Sequence, residues 1–245
     1  MKRTILASTL ACAALCLAVT QSASARPIFD EFGPLPNATF GGQGIPNEEV
    51  AISSQWDDGD VLITIAMSAT QRYSNPAVTN DGAGTYFALA GANFGGNNES
   101  LIEGALWNFN FYLKVEGING ATPVLADYQI DLYYDFDTGD DTFIGDLGSI
   151  DLTASILASP TPGATILEDS QNLNFAYLAA GIPGFVKPPA GSFDPDALGE
   201  YNFGIQVRRD GWGIETVAMD VRVIPEPATM ALFTLGGLAL IRRRR

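Results

Sequence analysis

The chain has no histidine and only two cysteines, Cys12 and Cys16, which both lie near its start. The rest of the sequence therefore has no cysteine for a disulfide or a nucleophile, no Cys/His set for zinc and no Ser–His–Asp triad. Basic residues are scarce as well, since 13 Lys and Arg stand against 28 Asp and Glu in 245 residues. These absences exclude disulfide-stapled domains, zinc proteins and histidine-dependent hydrolases.

The few basic residues are concentrated at the two ends of the chain. Lys2 and Arg3 lie at the start, and four arginines close the sequence, namely Arg242, Arg243, Arg244 and Arg245. Only 7 basic against 27 acidic residues remain in the span 26–224, a net charge of −20. Phosphate backbones repel such a body, so we expect no nucleic-acid partner. The same charge keeps the protein soluble and can attract divalent cations.

The N-terminus has the three parts of a secretory signal peptide. Lys2 and Arg3 precede an apolar run, and Ala23-Ser24-Ala25 supplies a small-residue cleavage site. This order predicts export, through the Sec translocon, and cleavage after Ala25. The alternatives are a retained membrane anchor and lipidation at Cys12 or Cys16.

The C-terminus combines a rigid tripeptide, a short apolar segment and the cluster of arginines. Pro225-Glu226-Pro227 fits neither a strand interior nor a helix interior, because two prolines fix φ and remove two N–H donors. Residues 228–241 carry no charge and as a helix would be ~21 Å long, shorter than a hydrocarbon core of ~30 Å. The positive-inside rule predicts a membrane stop that stays cytoplasmic, formed by Arg242, Arg243, Arg244 and Arg245.

Together with the signal peptide, this tail resembles the PEP-CTERM sorting signal of exported bacterial proteins. The resemblance covers residues 223–245 and implies an exosortase-type membrane protease as partner, with cutting near Pro225-Glu226-Pro227. It also implies transient anchoring in the inner membrane, release to the cell surface, and a Gram-negative bacterium that makes exopolysaccharide. Exopolysaccharide is therefore a further candidate partner.

Between the two ends, apolar residues alternate with polar ones in many short segments. Period-two alternation is typical of half-buried strands. The clearest ranges are 61–67, 108–116, 130–136, 150–156, 201–207 and 217–223, and weaker ones are 50–54, 85–90 and 172–178.

The sequence therefore predicts an all-β fold. We expect one antiparallel β-sandwich of eight or nine strands, jelly-roll or immunoglobulin-like, flanked by an N-terminal signal helix and a C-terminal hydrophobic helix. The predicted segments are a signal peptide (1–25), an irregular lead-in (26–47), the sandwich (48–223) and the sorting signal (224–245). A proline-rich loop, 179–199, is expected to cover a sheet edge.

The densest group of chemically versatile side chains is acidic. Asp135 and Asp137 alternate along a predicted strand, share an outward face with Asp131, and run into Asp140 and Asp141 at a glycine turn. Hard cations prefer such oxygen ligands, so Asp135, Asp137, Asp140 and Asp141 are candidate calcium ligands. The alternative is an exposed hairpin whose Asp and Gly residues only make the turn. No other cofactor is predicted.

Aromatic residues give weaker indications of function. Trp56, Trp107 and Trp212 lie at predicted strand ends or in turns, where a ring can stack on a sugar or pack at the core. Tyr112 and Tyr133 are predicted to face outward. No carboxylate pair can be singled out as catalytic, so the sequence favours a non-enzymatic surface or matrix protein that serves adhesion, matrix structure or ligand binding. The alternative is a secreted carboxylate-dependent polysaccharide hydrolase.

Overall fold

The structure is a computed structural model that describes residues 27–140 and 142–226. Several predicted features lie outside the described residues. They are the signal peptide with Ala23 and Ala25, the candidate calcium ligand Asp141, Pro227 of the sorting motif, the apolar tail, and the membrane stop formed by Arg242, Arg243, Arg244 and Arg245.

Strands account for most of the regular structure. They are β1 (Glu31–Gly33), β2 (Val50–Asp57), β3 (Val61–Gln71), β4 (Thr79–Asn80), β5 (Thr85–Leu89), β6 (Ala92–Asn93), β7 (Gly104–Ala105), β8 (Trp107–Gly117), β9 (Gln129–Tyr134), β10 (Gly148–Asp151), β11 (Ile166–Gln171), β12 (Val186–Lys187), β13 (Gly199–Arg209) and β14 (Trp212–Ile224). Two short helices, α1 (Leu152–Ala158) and α2 (Ala176–Ala180), and a 3-10 turn at Leu125–Asp127 complete the described chain.

The strands form two main sheets packed face to face. One has the order β1-β2-β3-β8-β11, and the other has the order β12-β10-β9-β13-β14-β5-β4. The pairings are antiparallel except for β14 with β5, which run parallel. The predicted all-β sandwich is confirmed, with more strands than expected because several are only two or three residues long. The segment 179–199 contributes the edge strand β12.

The core lies between the two sheets and is built from the alternation that the sequence displays. Ile63, Ile65 and Met67 of β3 point inward and are buried, and they pack in one cluster with Phe109 of β8 and Phe203 of β13. A fully buried side chain of this size stabilises the fold by about 1.5–3 kcal/mol. Period two therefore locates the central strands of both sheets.

Two predicted strands are wrong because local hydrogen bonds favour helix. In 150–156 the strand β10 ends at Asp151, whose carboxylate caps α1 by accepting from Ala154 N at 2.7 Å. Leu152 and Ile156, four residues apart, are then buried on one face of that helix. The weak candidate 172–178 contains no strand and leads into α2, which begins at Ala176.

The lead-in packs on the outer face of the five-stranded sheet. Its strand β1 pairs with β2, and Phe40 is completely buried in a second apolar cluster. Glu168 of β11 accepts three hydrogen bonds of 2.7 Å from the Thr39 N–H, the Thr39 hydroxyl and the Phe40 N–H. Tyr112, for which the sequence predicted an outward position, is buried under this segment at 2% exposure.

Candidate functional site

The acidic residues singled out in the sequence lie beside a cavity at one end of the seven-stranded sheet. We call it the acidic cavity; its volume is about 550 Å³. Its lining comes from the loop after β9 and from the loop before β13, and it includes Asp135, Asp137, Asp146 and Asp194. Phe136 forms part of the wall and packs against Phe193 with ring centroids 5.9 Å apart. The loops therefore bring together carboxylates that are distant in sequence.

Asp135 is buried, although the sequence predicted an outward face that it shares with Asp131 and Asp137. Strand β9 ends at Tyr134, and Tyr134 and Phe136 on either side of Asp135 both belong to the core cluster. Asp137 is exposed and makes a local turn, in which its Oδ1 accepts from Gly139 N at 2.9 Å. Core positions thus still alternate at Tyr134 and Phe136, and the burial of Asp135 does not follow from the period-two pattern.

Burial changes the acid–base behaviour of Asp135. Desolvation raises the pKa of its carboxyl to about 7, against the opposing effects of the Thr142 side chain and the Asn202 N–H. The Asn202 N–H donates to Oδ1 at 3.0 Å. The Asp135 Oδ2 and the Thr142 Oγ1 are both buried and form no hydrogen bond of ordinary geometry among the described residues. Asp135 therefore holds a proton near neutral pH.

Asn202 of β13 holds the loop against the sheet. Besides its backbone bond to Asp135, its side-chain oxygen accepts from Thr142 N at 2.9 Å, and its side-chain nitrogen donates to Asp220 Oδ1 at 3.0 Å. The loop also runs close to Gly199 of β13, because a Cβ added at that position would stand only 2.2 Å from the Thr138 carbonyl oxygen. Glycine at 199, where φ is +150°, lets the loop approach β13.

The predicted calcium ligands are only partly brought together. Among residues 27–140 and 142–226 no group of three or more acidic side chains is placed to hold a metal ion. Asp135 and Asp137 line the acidic cavity, Asp140 is exposed, and Asp141 lies outside the described residues. Calcium binding stays a prediction.

A second concavity, which sequence reasoning missed, crosses the five-stranded sheet. We call it the outer groove; its volume is about 710 Å³. Polar side chains of three adjacent strands line it, namely Thr70 and Gln71 of β3, Asn108 of β8, and Asp169 and Ser170 of β11. The Asn108 amide donates to Ser170 Oγ at 3.0 Å, which ties two of these strands together.

The walls of the outer groove are loops from both sides of the sheet. One wall is the lead-in segment 40–46, and the other is formed by residues 72–74 and 99–102, with Phe175 also in the lining. Tyr73 is 55% exposed, and its backbone has a φ of +54°, which is rare for a bulky residue. Such conformations cost free energy and tend to cluster at functional sites.

Tyr73 sits on a rigid support. The Arg72 guanidinium stands 5.1 Å from the centre of the ring and is only 3% exposed. It donates to the carbonyl oxygens of Asn93 and Ile102 and to Ser100 Oγ at 2.7–2.9 Å. No local sequence pattern predicts this arrangement, because the contributing loops are far apart in the chain.

The other aromatic candidates differ in exposure. Trp107 is 1% exposed and packs against Phe203 with ring centroids 6.1 Å apart, so it belongs to the core. Trp56 and Trp212 are 47% and 80% exposed and line neither concavity. Tyr133 is half-buried in the seven-stranded sheet. Of the three tryptophans, Trp56 and Trp212 thus retain the exposure needed for stacking on a sugar.

The C-terminal motif begins where the last core strand ends. Strand β14 runs to Ile224 between β13 and β5, and Pro225 and Glu226 follow directly, with Glu226 exposed. Within the described part of the chain no helix is both long and apolar enough to cross a bilayer.

Comparison with known proteins identifies this end of the chain. No curated protein and no solved structure matches the sequence. Residues 223–245 match the family model of the PEP-CTERM protein-sorting motif, which confirms the resemblance predicted from the sequence. The matched range includes the whole arginine cluster, Arg242, Arg243, Arg244 and Arg245. The chain thus carries a C-terminal PEP-CTERM motif, the signal by which exosortase sorts exported proteins toward the cell surface.

Proposed function

We propose that the β-sandwich is a non-enzymatic module of the cell surface or extracellular matrix that serves adhesion, matrix structure or ligand binding. Export begins with the signal peptide, the apolar tail holds the chain briefly in the inner membrane, and exosortase cuts near Pro225-Glu226-Pro227. The large negative charge of the body keeps the released module soluble and allows divalent cations to bridge it to anionic polymers.

The junction between β14 and the sorting motif carries this proposal. A cut beyond Ile224 leaves every described strand of both sheets intact, because Pro225 and Glu226 belong to no strand. Any attachment made at the new C-terminus acts through β14, which hydrogen-bonds to β13 on one side and to β5 on the other. Tension on that end is then shared by two ladders of hydrogen bonds.

Mass spectrometry of the protein recovered outside the cell tests the proposal. We expect Arg26 as the first residue and a new C-terminus near 225–227, without the arginine cluster. The double substitution Pro225→Ala/Pro227→Ala should leave the tail attached and the protein in the membrane fraction. Pro162→Ala, in an exposed loop of the body, is the matched control and should be processed normally. An exported chain that keeps the four terminal arginines would contradict the proposal.

A second candidate, a carboxylate-dependent polysaccharide hydrolase, is favoured by one observation. Asp135 has a pKa of about 7 and lines a cavity that also contains Asp137, Asp146 and Asp194. A general acid needs a pKa near the working pH, and hydrolysis of a glycosidic bond also needs a second carboxylate as nucleophile or general base. The test is release of reducing ends from soluble polysaccharides near pH 7. Activity that Asp135→Asn abolishes would establish the enzyme, and no release from any substrate would remove it.

A further inference from the structure

We infer that the outer groove binds a strand of neutral polysaccharide. This inference deepens the ligand-binding role proposed above and rests on it. The groove combines an exposed aromatic ring with polar side chains on the strands beneath, and a sugar presents a matching apolar C–H face and a rim of hydroxyl groups.

Two groove side chains have hydrogen-bonding capacity that the fold does not use. The amides of Gln43 and Gln71 have no hydrogen-bond partner among the described residues. Each amide offers both a donor and an acceptor, which is what recognition of a hydroxyl group requires. Gln43 lies on the lead-in wall and Gln71 at the end of β3, so a ligand between the walls could reach both.

The ring of Tyr73 is held in place before any ligand arrives. Arg72 supports it, and the adjacent Ser74 hydroxyl donates to Glu99 Oε2 at 2.9 Å. A Cβ at Gly95 would stand 3.1 Å from the Tyr73 ring, so glycine at that position gives the ring room. A ring fixed in this way loses little conformational entropy on binding.

The charges of the groove select a neutral ligand. Among the described residues that line it, Arg72 is the only cation, and it is buried and engaged, whereas Glu99 and Asp169 are exposed. An anionic polymer would therefore be repelled. Both carboxylates are already used, since Glu99 accepts from Asn97 N and Ser74 Oγ, and Asp169 accepts from Ser170 N and Gln171 Nε2. A basic peptide would have to compete with these bonds.

Affinity electrophoresis tests the inference. The full-length chain is kept in mild detergent so that the result does not depend on cutting of the tail, and EDTA removes the divalent cations that would bridge it to an anionic polymer. It is run through gels that contain dextran, galactomannan, mixed-linkage β-glucan or alginate. We expect at least one neutral polymer to retard the chain, and alginate not to. Tyr73→Ala should weaken binding at least tenfold and Gln71→Ala several-fold. Trp212→Ala, which removes an exposed ring outside the groove, should bind like the wild type.

Two further measurements keep the outcome decisive. Tyr73→Phe retains the ring and should retain binding, and a thermal melt shows whether Tyr73→Ala is folded. If Tyr73→Ala is unfolded, the binding of Gln71→Ala tests the inference instead. That variant should fold, because the Gln71 side chain makes no hydrogen bond within the described chain. No retardation by any neutral polymer, retardation by alginate, or full binding by both Tyr73→Ala and Gln71→Ala would overturn the inference. A chain that is exported and cut yet binds no polysaccharide would refute this inference alone.

Discussion

The acidic cavity and the outer groove differ in what their polar groups do. In the cavity, the backbone N–H and the side-chain oxygen of Asn202 hold the loop of Asp135 against β13, its side-chain nitrogen donates to Asp220 of β14, and Asp135 itself has no exposed surface. In the groove, the side chains of Gln43 and Gln71 add no hydrogen bond to the described part of the fold. Asp135 and Asp137 thus each make a hydrogen bond within the fold, and the proposed ligand recognition in the outer groove relies on polar groups that the fold leaves unused.

The largest effect that this comparison predicts is a change of stability with pH. Asp135 has a pKa of about 7 in the folded protein, above its ordinary value of 3.8. Between these values the folded state binds more protons than the unfolded state, so the contribution of Asp135 is full below about pH 4 and is lost as the pH rises through 7. From pH 5 to pH 8 the free energy of unfolding should fall by about 3 kcal/mol more in the wild type than in Asp135→Asn.

Denaturant titrations of both proteins at the two pH values measure this difference. Desolvation also raises the pKa of Asp131, Asp169 and Glu215, so the comparison between wild type and variant is needed to isolate Asp135. Asp137→Asn is the matched control, since Asp137 is exposed and an asparagine oxygen can still accept from Gly139 N. Equal pH dependence in wild type and Asp135→Asn would mean that the carboxyl is not desolvated.

The second test removes the side chain of Asn202, which helps to hold the loop of Asp135 against β13. Asn202→Ala keeps the backbone bond to Asp135 but loses the side-chain bonds to Thr142 N and Asp220 Oδ1. Because buried polar groups would lose partners, we expect the free energy of unfolding to fall by about 2 kcal/mol. Gln55→Ala, an exposed amide on β2, should change it by less than about 0.5 kcal/mol. An equally small loss of unfolding free energy for both variants in urea titrations would show that the side-chain hydrogen bonds of Asn202 contribute little to stability.

The sequence predicts the strands better than it predicts the sites. Alternation locates β3, β8, β13 and β14, because each presents one face to the core over many residues. It fails at Asp151, where the carboxylate caps a helix, and it does not reveal the burial of Asp135, which lies just beyond the end of β9. The Asp151–Ala154 spacing is a local capping pattern that could have revealed α1.

The outer groove lies beyond any local pattern. Gln43, Tyr73 and Asn108 come from separate loops and strands, and only the pairing of β3 with β8 and the packing of the lead-in bring them together. The C-terminal motif is the opposite case. Its function resides in a contiguous run of residues, so the sequence suffices to recognise it.

The smallest expected effect concerns the lead-in wall of the outer groove. Glu168 is the anchor of the lead-in segment, because it receives the Thr39 N–H, the Thr39 hydroxyl and the Phe40 N–H. Its surroundings are partly solvated, so Glu168→Ala should lower the free energy of unfolding by only about 1 kcal/mol. Hydrogen exchange should nevertheless accelerate at Thr39 and Phe40, and binding of a neutral polysaccharide should weaken because the wall moves.

The control for this variant is Glu116→Ala, which removes an exposed partner of Lys114 and should leave both exchange and binding unchanged. The distinction is informative because the two glutamates lie on neighbouring strands of the same sheet and differ mainly in what they hold. Unchanged exchange at Thr39 and Phe40 in Glu168→Ala would show that the apolar cluster around Phe40 holds the wall without the carboxylate. The wall of the groove would then depend on apolar packing, in contrast to the loop beside the acidic cavity, which the hydrogen bonds of Asn202 hold.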